Sequence, residues 1–281
     1  MAMKDLLVHL DVTPASRGRL EAAMVLAEAF GAHVTALSLI AEPILRSMPS
    51  RHLPADLVRE YVAQAERDLD AVLAVATAGA KERGIHLTTR REIGPLDRLP
   101  HLLGLQGRHA DLVVVGQPDP EAGGADDALL TEAAFMDTGR PALVVPYAAA
   151  RRPLPPKRAL LAWDGSREAA RAAHDAIPLL RLTEAVTVLI VDARDLSGRL
   201  GQQPGSDIAS HLVCHGIEAA VKRVESHGRG IGAVILAQAE EERADLLVVG
   251  GYGHSRLREM LLGGVTSYLL EHMTTPILFS H

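Results

Sequence analysis

Short unbroken apolar runs alternate along this chain with longer stretches in which apolar residues recur at helical spacing. Residues 4–10 form such a run, closed by Asp11, and predict a buried strand. Thr13-Pro14 then reads as an N-cap with proline at the first helical position. The helix it opens carries Leu20, Met24, Leu26 and Ala27 on one face and stops at Gly31. A second strand is expected over 33–40 and a loop over 43–54. Residues 55–83 place Val58, Val62, Leu69, Val72, Leu73 and Ala76 at the spacing of a long amphipathic helix, ended by Gly84. Residues 86–93 read as a strand whose charges suit a sheet edge. Residues 95–109 read as a helix weakened by Pro100 and two glycines. Residues 111–116 and 142–145 are further strands, and the pattern assigns no element to the acidic, proline-bearing stretch between them.

Three prolines within residues 147–156 disfavour both helix and central strand and mark a domain boundary. The pattern then starts again. Residues 159–164 repeat 6–11, each closing on an aspartate, and 186–192 repeat the second strand. Helices are expected over 208–215 and 231–243, and a strand over 219–224. Arg243-Ala-Asp-Leu-Leu-Val-Val-Gly250 closely copies His109-Ala-Asp-Leu-Val-Val-Val-Gly116, and Thr275-Pro276 copies Arg140-Pro141. Asp111 and Asp245 lie 134 residues apart and Pro141 and Pro276 lie 135 apart, whereas Asp11 and Asp164 lie 153 apart. The difference falls in the first half between its second and third strands, where the long helix sits. Two copies of one alternating α/β unit, 1–148 and 157–281, account for this. Strands alternating with helices imply doubly wound, mostly parallel sheets covered on both faces.

Composition narrows the function. The 281 residues are 48% hydrophobic and 23% charged, in the range of a globular protein of one large or two ordinary domains. Aromatics are only 3% and the net charge is −6, which argues against a base-stacking or basic nucleic-acid surface and against an anionic membrane surface. Cys214 is the only cysteine, so no internal disulfide and no cysteine-based zinc site can form. The apolar run at the N-terminus is too short and too acidic for a signal peptide, and no run reaches the length of a membrane span; the expected location is the cytoplasm.

The chemistry concentrates near residue 250. An apolar run ends at Gly250-Gly251-Tyr252-Gly253, a short basic segment follows, and Gly263-Gly264-Val265-Thr266-Ser267 opens a helix-forming run. Such a loop lets backbone N–H groups approach an anion, and the helix start directs its own unpaired N–H groups and positive dipole end to the same place. Tight turns alone explain the same glycines. In a parallel sheet, ligands sit beyond the strand C-termini where strand order reverses. If the strands before Asp164 and Gly250 are neighbours, both residues face one crevice.

On these residues the chain resembles the universal stress protein family in its tandem form. The family's signature of Gly, two residues, Gly, nine residues, Gly is met by Gly250, Gly253 and Gly263, and its first-strand aspartate by Asp164. The resemblance covers both halves. It implies two tandem doubly wound five-stranded parallel-sheet domains (adenine nucleotide alpha hydrolase-like) and an ATP-binding pocket in the second. It also implies a regulatory stress role rather than efficient catalysis. Asp164 would contact adenine or ribose, with Val191 flanking the base. Gly250, Gly253 and Gly263 would surround the phosphates, with Val265 and Thr266 near phosphate and ribose. Gly264 stands where the family has Ser or Thr. A hydrogen bond to a charged group is worth about 1.5–3 kcal/mol, so its loss weakens binding by roughly ten- to a hundredfold unless Thr266 or Ser267 compensates. By analogy with family homodimers the halves are expected to pack as an intramolecular pseudo-dimer. An edge left by the C-terminal strands would allow further homodimerisation.

In the first half Gln117-Pro118-Asp119-Pro120-Glu121 follows Gly116, with Asp126-Asp127 beyond. Prolines lack donors and carboxylates repel phosphate, so this half is expected to be a structural partner that does not bind ATP. The remaining signals have plainer readings. Arg256 stands where a dinucleotide fingerprint needs its third glycine, Gly228-Arg-Gly230-Ile-Gly232 suits a flexible turn, and no P-loop lysine occurs. His9 and His254 show no ligand spacing, so no metal is assigned, and the role of magnesium stays open. Ser166 reads as a helix cap, and Cys214, flanked by His211 and His215, as a small packed residue. Two functions therefore stand: an adenine-nucleotide-binding stress protein, or a nucleotide-free module acting through protein partners. At most slow ATP hydrolysis is expected, and no catalytic residue is assigned.

Overall fold

The computed structural model describes residues 3–43, 55–119, 125–148, 154–194, 203–251 and 264–281. The first half runs β1 (Asp5–His9), α1 (Ser16–Phe30), β2 (His33–Ala41), α2 (Ala55–Glu82), β3 (Leu87–Gly94), α3 (Leu99–Gly107), β4 (Leu112–Gly116), α4 (Ala125–Met136) and β5 (Ala142–Val145). The second runs β6 (Arg158–Ala162), α5 (Arg167–Leu180), β7 (Ala185–Val191), α6 (Ser206–Cys214), β8 (Ala219–Val224), α7 (Ile231–Glu241), β9 (Leu246–Gly250), α8 (Val265–His272) and β10 (Ile277–Ser280).

All ten strands belong to one sheet, ordered β3-β2-β1-β4-β5-β10-β9-β6-β7-β8. The order within each half is the same, which is the fold-level form of the sequence repeat. Pairing is parallel throughout each half, and the halves meet where β10 pairs antiparallel with β5, with Ile277 opposite Val144, Leu278 opposite Leu143 and Phe279 opposite Ala142. The two expected five-stranded sheets are thus continuous. The edge expected at the C-terminal strands is at the sheet centre instead, because β5 and β10 satisfy each other. The true edges are β3 and β8, whose Arg90, Arg91 and Glu92, and Lys222 and Arg223, suit strands that must not recruit another.

Helices cover both faces, so strand side chains are buried on either side and the strands read as continuous apolar runs. One core holds Leu6, Val8, Leu161 and Val248 against α1, α2, α5 and α6; the other holds Val113, Leu160, Leu247 and Phe279 against α3, α4, α7 and α8. Gly31 ends α1 in the left-handed region (φ 59°), as expected from its position. Three local expectations change. The helix over 95–109 is split into a 3-10 turn at Leu96–Arg98 and α3, consistent with Pro95 and Pro100 at its start. Helix α1 begins at Ser16 without a side-chain cap, because the Thr13 hydroxyl donates to Asp11 Oδ1 at 2.5 Å. Cys214 is exposed, not packed, because it lies at the solvent side of α6 while Ile208 and Leu212 face the core.

The seam is sealed by side chains as well as strands. Phe135 of α4 stacks on Phe279 of β10 with centroids 5.2 Å apart. A Cβ built on Gly251 would lie 2.9 Å from the Phe135 ring, so glycine there admits a side chain from the other half. Phe135→Ala is expected to cost about 3–5 kcal/mol in urea unfolding while the chain keeps one cooperative transition. Two separated transitions, with one half untouched by the change, would show that the seam does not bind the halves into one folding unit.

Candidate functional site

In the second half β6 lies between β7 and β9, and the chain order reverses between β6 and β9. The loops after these two strands leave in opposite senses, the arrangement that opens a crevice at strand C-termini. The condition set by the sequence, that the strands ending near Asp164 and at Gly250 be neighbours, is met: Leu161 pairs with Val248. Asp164 is half-buried, and its Oδ1 accepts the Ser166 N–H at 2.9 Å. Gly165 turns the chain at φ 71°, and the Ser166 hydroxyl accepts the Ala169 N–H at 3.1 Å, so Ser166 is the N-cap of α5 as expected.

Gly250 has a stringent reason to be glycine. A Cβ there would lie 2.5 Å from Ala169 N and 2.5 Å from the Glu168 carbonyl carbon. Backbone cannot yield as a flexible side chain can, so the first turn of α5 rests directly on the end of β9. This contact brings the loop of Asp164 and the start of the glycine stretch together. Val191, buried at the end of β7, shares the core on this face with Val249, and Val265 at the start of α8 packs against the same cluster. Gly264 takes the N-cap position of α8 in an extended conformation (ψ 162°) with no side-chain cap. Thr266 is buried, whereas Ser267 is exposed, which leaves Ser267 as the hydroxyl on the solvent side of the first turn. Gly253 and Gly263, with Tyr252, His254, Arg256 and Arg258, lie outside the described residues.

The equivalent place in the first half is built differently. Arg19 points inward from α1, in register with buried Ala23, Leu26 and Ala27. Its Nε donates to His9 O at 2.9 Å and its Nη2 lies 2.6 Å from Asp11 Oδ2. A Cβ on Gly116 would approach Arg19 Nη1 to 2.6 Å, so this glycine makes room for a guanidinium instead of a backbone turn. The Thr131 hydroxyl donates to Gly116 O at 2.7 Å. A cavity of about 170 Å³ remains, walled by His9, Asp11, Arg19, Gln117, Thr131 and Tyr147 among others. The residue 153 positions after Arg19, in step with the two aspartates, is Ala172.

Sequence reading passed over three residues of these sites. Arg19 left a signal, a charge in phase with the apolar face of α1. Asp192 left another, an aspartate closing an apolar strand as Asp11 and Asp164 do. It sits at φ 52°, and the Ser226 N–H at 2.7 Å on its Oδ1 holds its pKa below the usual range, so it ties the ends of β7 and β8. Gln117 left none, since its partners are remote in sequence. Among the described residues no group of three or more potential metal-ligating side chains comes together, and no helix is long and apolar enough to cross a membrane.

Burial pushes the His9 pKa from 6.5 down to about 4, helped by Arg19 and opposed by Asp11. Burial alone would raise the Asp11 pKa, but Arg19, His9 and Thr13 together lower it. As pH falls, unfolded His9 takes up a proton before folded His9 does. Its contribution is therefore complete above about pH 6.5 and is lost between there and pH 4, by about 3 kcal/mol. Urea midpoints are expected to fall over that window and to fall less in His9→Gln. Equal slopes in the two proteins would show that His9 is not the group responsible.

A model described as the universal stress protein family matches residues 156–281. Over nearly its whole length the fold is similar to that of a universal stress protein from Archaeoglobus fulgidus DSM 4304, at 16% identity, covering 98% of this chain and 95% of that one with a TM-score of 0.74. It is also similar to a functionally unknown protein from Pseudomonas aeruginosa PAO1, at 15% identity, covering 99% and 92%, with a TM-score of 0.63. At these identities the likeness is one of fold. No curated protein sequence matches the chain. The match to the universal stress protein family thus falls on the second half, residues 156–281, while the likeness of fold extends over both halves.

Proposed function

We propose that the second half binds an adenine nucleotide, ATP or a relative of it, between the Asp164 loop, the end of β9 and the start of α8, and that the chain serves a regulatory stress role in the cytoplasm. The observation that supports this reading is the backbone contact of Gly250 with the first turn of α5, which brings the Asp164 loop beside the start of the glycine stretch at one switch point. Asp164 and Val191 suit the nucleoside end of such a ligand, and Gly250, Gly264, Val265 and Thr266, with Gly253 and Gly263 of the same motif, suit its phosphates. Helix α8 supplies the N–H groups of its first turn and the positive end of its dipole. No catalytic step is assigned.

In this reading residues 1–148 are the structural partner of residues 157–281. The Asp11–Arg19 pair fills the place that the second half leaves to Ala172, and Asp11 also holds Thr13. The alternative, a module that works through protein partners without nucleotide, draws support from the same Gly250: its lack of a side chain is already required by α5, so its presence does not by itself call for a phosphate.

Calorimetry with ATP and AMP separates the two. Saturable binding is expected, weakened about tenfold (~1.4 kcal/mol) in Asp164→Ala and strengthened about tenfold in Gly264→Ser, which restores a hydroxyl at the helix start. No heat from either nucleotide at millimolar concentration would remove the nucleotide reading.

A further inference from the structure

Gln117 stands in the first half where Gly251 stands in the second, one residue past the strand-ending glycine. The backbone roles match: Gln117 N–H bonds Val145 O at 2.8 Å, and Gly251 N–H bonds Ser280 O at 2.8 Å. The side chain does something its counterpart cannot. It crosses the seam, and Nε2 donates to Leu270 O at 2.9 Å and to Glu271 O at 3.2 Å, in the last turn of α8. Its Oε1 accepts the Tyr147 N–H at 3.3 Å, and the residue is 5% exposed. The last carbonyls of a helix have no partners within it. Gln117 supplies a partner to two of them from the other half of the chain.

The antiparallel seam explains why this is possible. Because β10 runs against β5, the strand C-termini of the two halves lie at opposite ends of the sheet. Helix α8 starts at the β9 end, where the second half has its crevice, and finishes at the end where the first half has its own. It is a rod about 12 Å long, little more than two turns of helix. A second hold is Tyr268, whose ring comes within 2.8 Å of where a Cβ on Gly232 of α7 would lie. Fixing the far end of such a rod fixes the direction of its near end, Gly264 to Thr266.

We propose that Gln117 is a positioning residue for the crevice of the other half: through the C-terminus of α8, the first half sets where the phosphate-facing helix start points. The ligand part of this claim rests on the nucleotide reading above; the mechanical part does not.

The test uses the full chain with Gln117→Met, which keeps the shape and removes the donor, and Gln117→Glu, which keeps an acceptor alone. Amide hydrogen exchange of the ligand-free protein is expected to quicken about tenfold across 265–272 in both variants and to stay unchanged in α5 and α7. ATP affinity is expected to fall three- to tenfold. Unchanged exchange in α8 overturns the proposal. So does faster exchange spread evenly over the chain, which would mark a general packing role. If the unsubstituted chain binds no ATP, the nucleotide reading fails, and the exchange experiment still decides whether Gln117 holds α8.

Discussion

The antiparallel pairing of β5 with β10 is the constraint from which the rest follows. Each half is a parallel sheet whose last strand would otherwise offer unpaired backbone groups along an apolar edge. Pairing those two strands buries both at the centre of a ten-stranded sheet and moves the edges out to β3 and β8, which carry the charge. The reversal of direction also sets the two strand C-terminal crevices at opposite ends. The helices beside the seam, α4 and α8, therefore run from their own half's crevice toward the other's. Phe135 against Gly251 and Gln117 against Leu270 and Glu271 are the two places where they arrive.

The strands were legible because burial on both faces demands unbroken apolar runs, and the repeat was legible because an aspartate or a glycine closes those runs at matched positions. Helix α4 was not. Its sequence follows Pro118 and Pro120, and its early Asp126 and Asp127 looked like charges hostile to a ligand, although acids in a first turn also favour a helix start. Gly250 was read as a site residue from its spacing, and spacing cannot show that the backbone of α5 lies 2.5 Å from the place of its missing Cβ. Gln117 and Leu270 are 153 residues apart, and no local pattern encodes a contact at that range.

The two halves illustrate how one scaffold diverges. At the first switch point an arginine from α1 neutralises the strand-ending aspartate and a glycine accommodates its head. At the second an alanine stands in the arginine's place and a glycine accommodates a helix. The glycines are at matched positions, yet what each makes room for differs in kind, side chain in one and main chain in the other. Shared glycines in a repeat thus report a shared need for space and say little about what fills it.

Within a single polypeptide the β5–β10 seam is also indifferent to dilution. Separate subunits joined through such strands would part as their concentration fell, whereas tethered ones face each other at an effective concentration fixed by the connecting chain. Every copy of this protein therefore carries one switch point with the Asp11–Arg19 pair and one with Ala172 at the arginine's position, in a one-to-one ratio. The pairing of the two unlike sites is set when the chain is made, not by how much of it the cell contains.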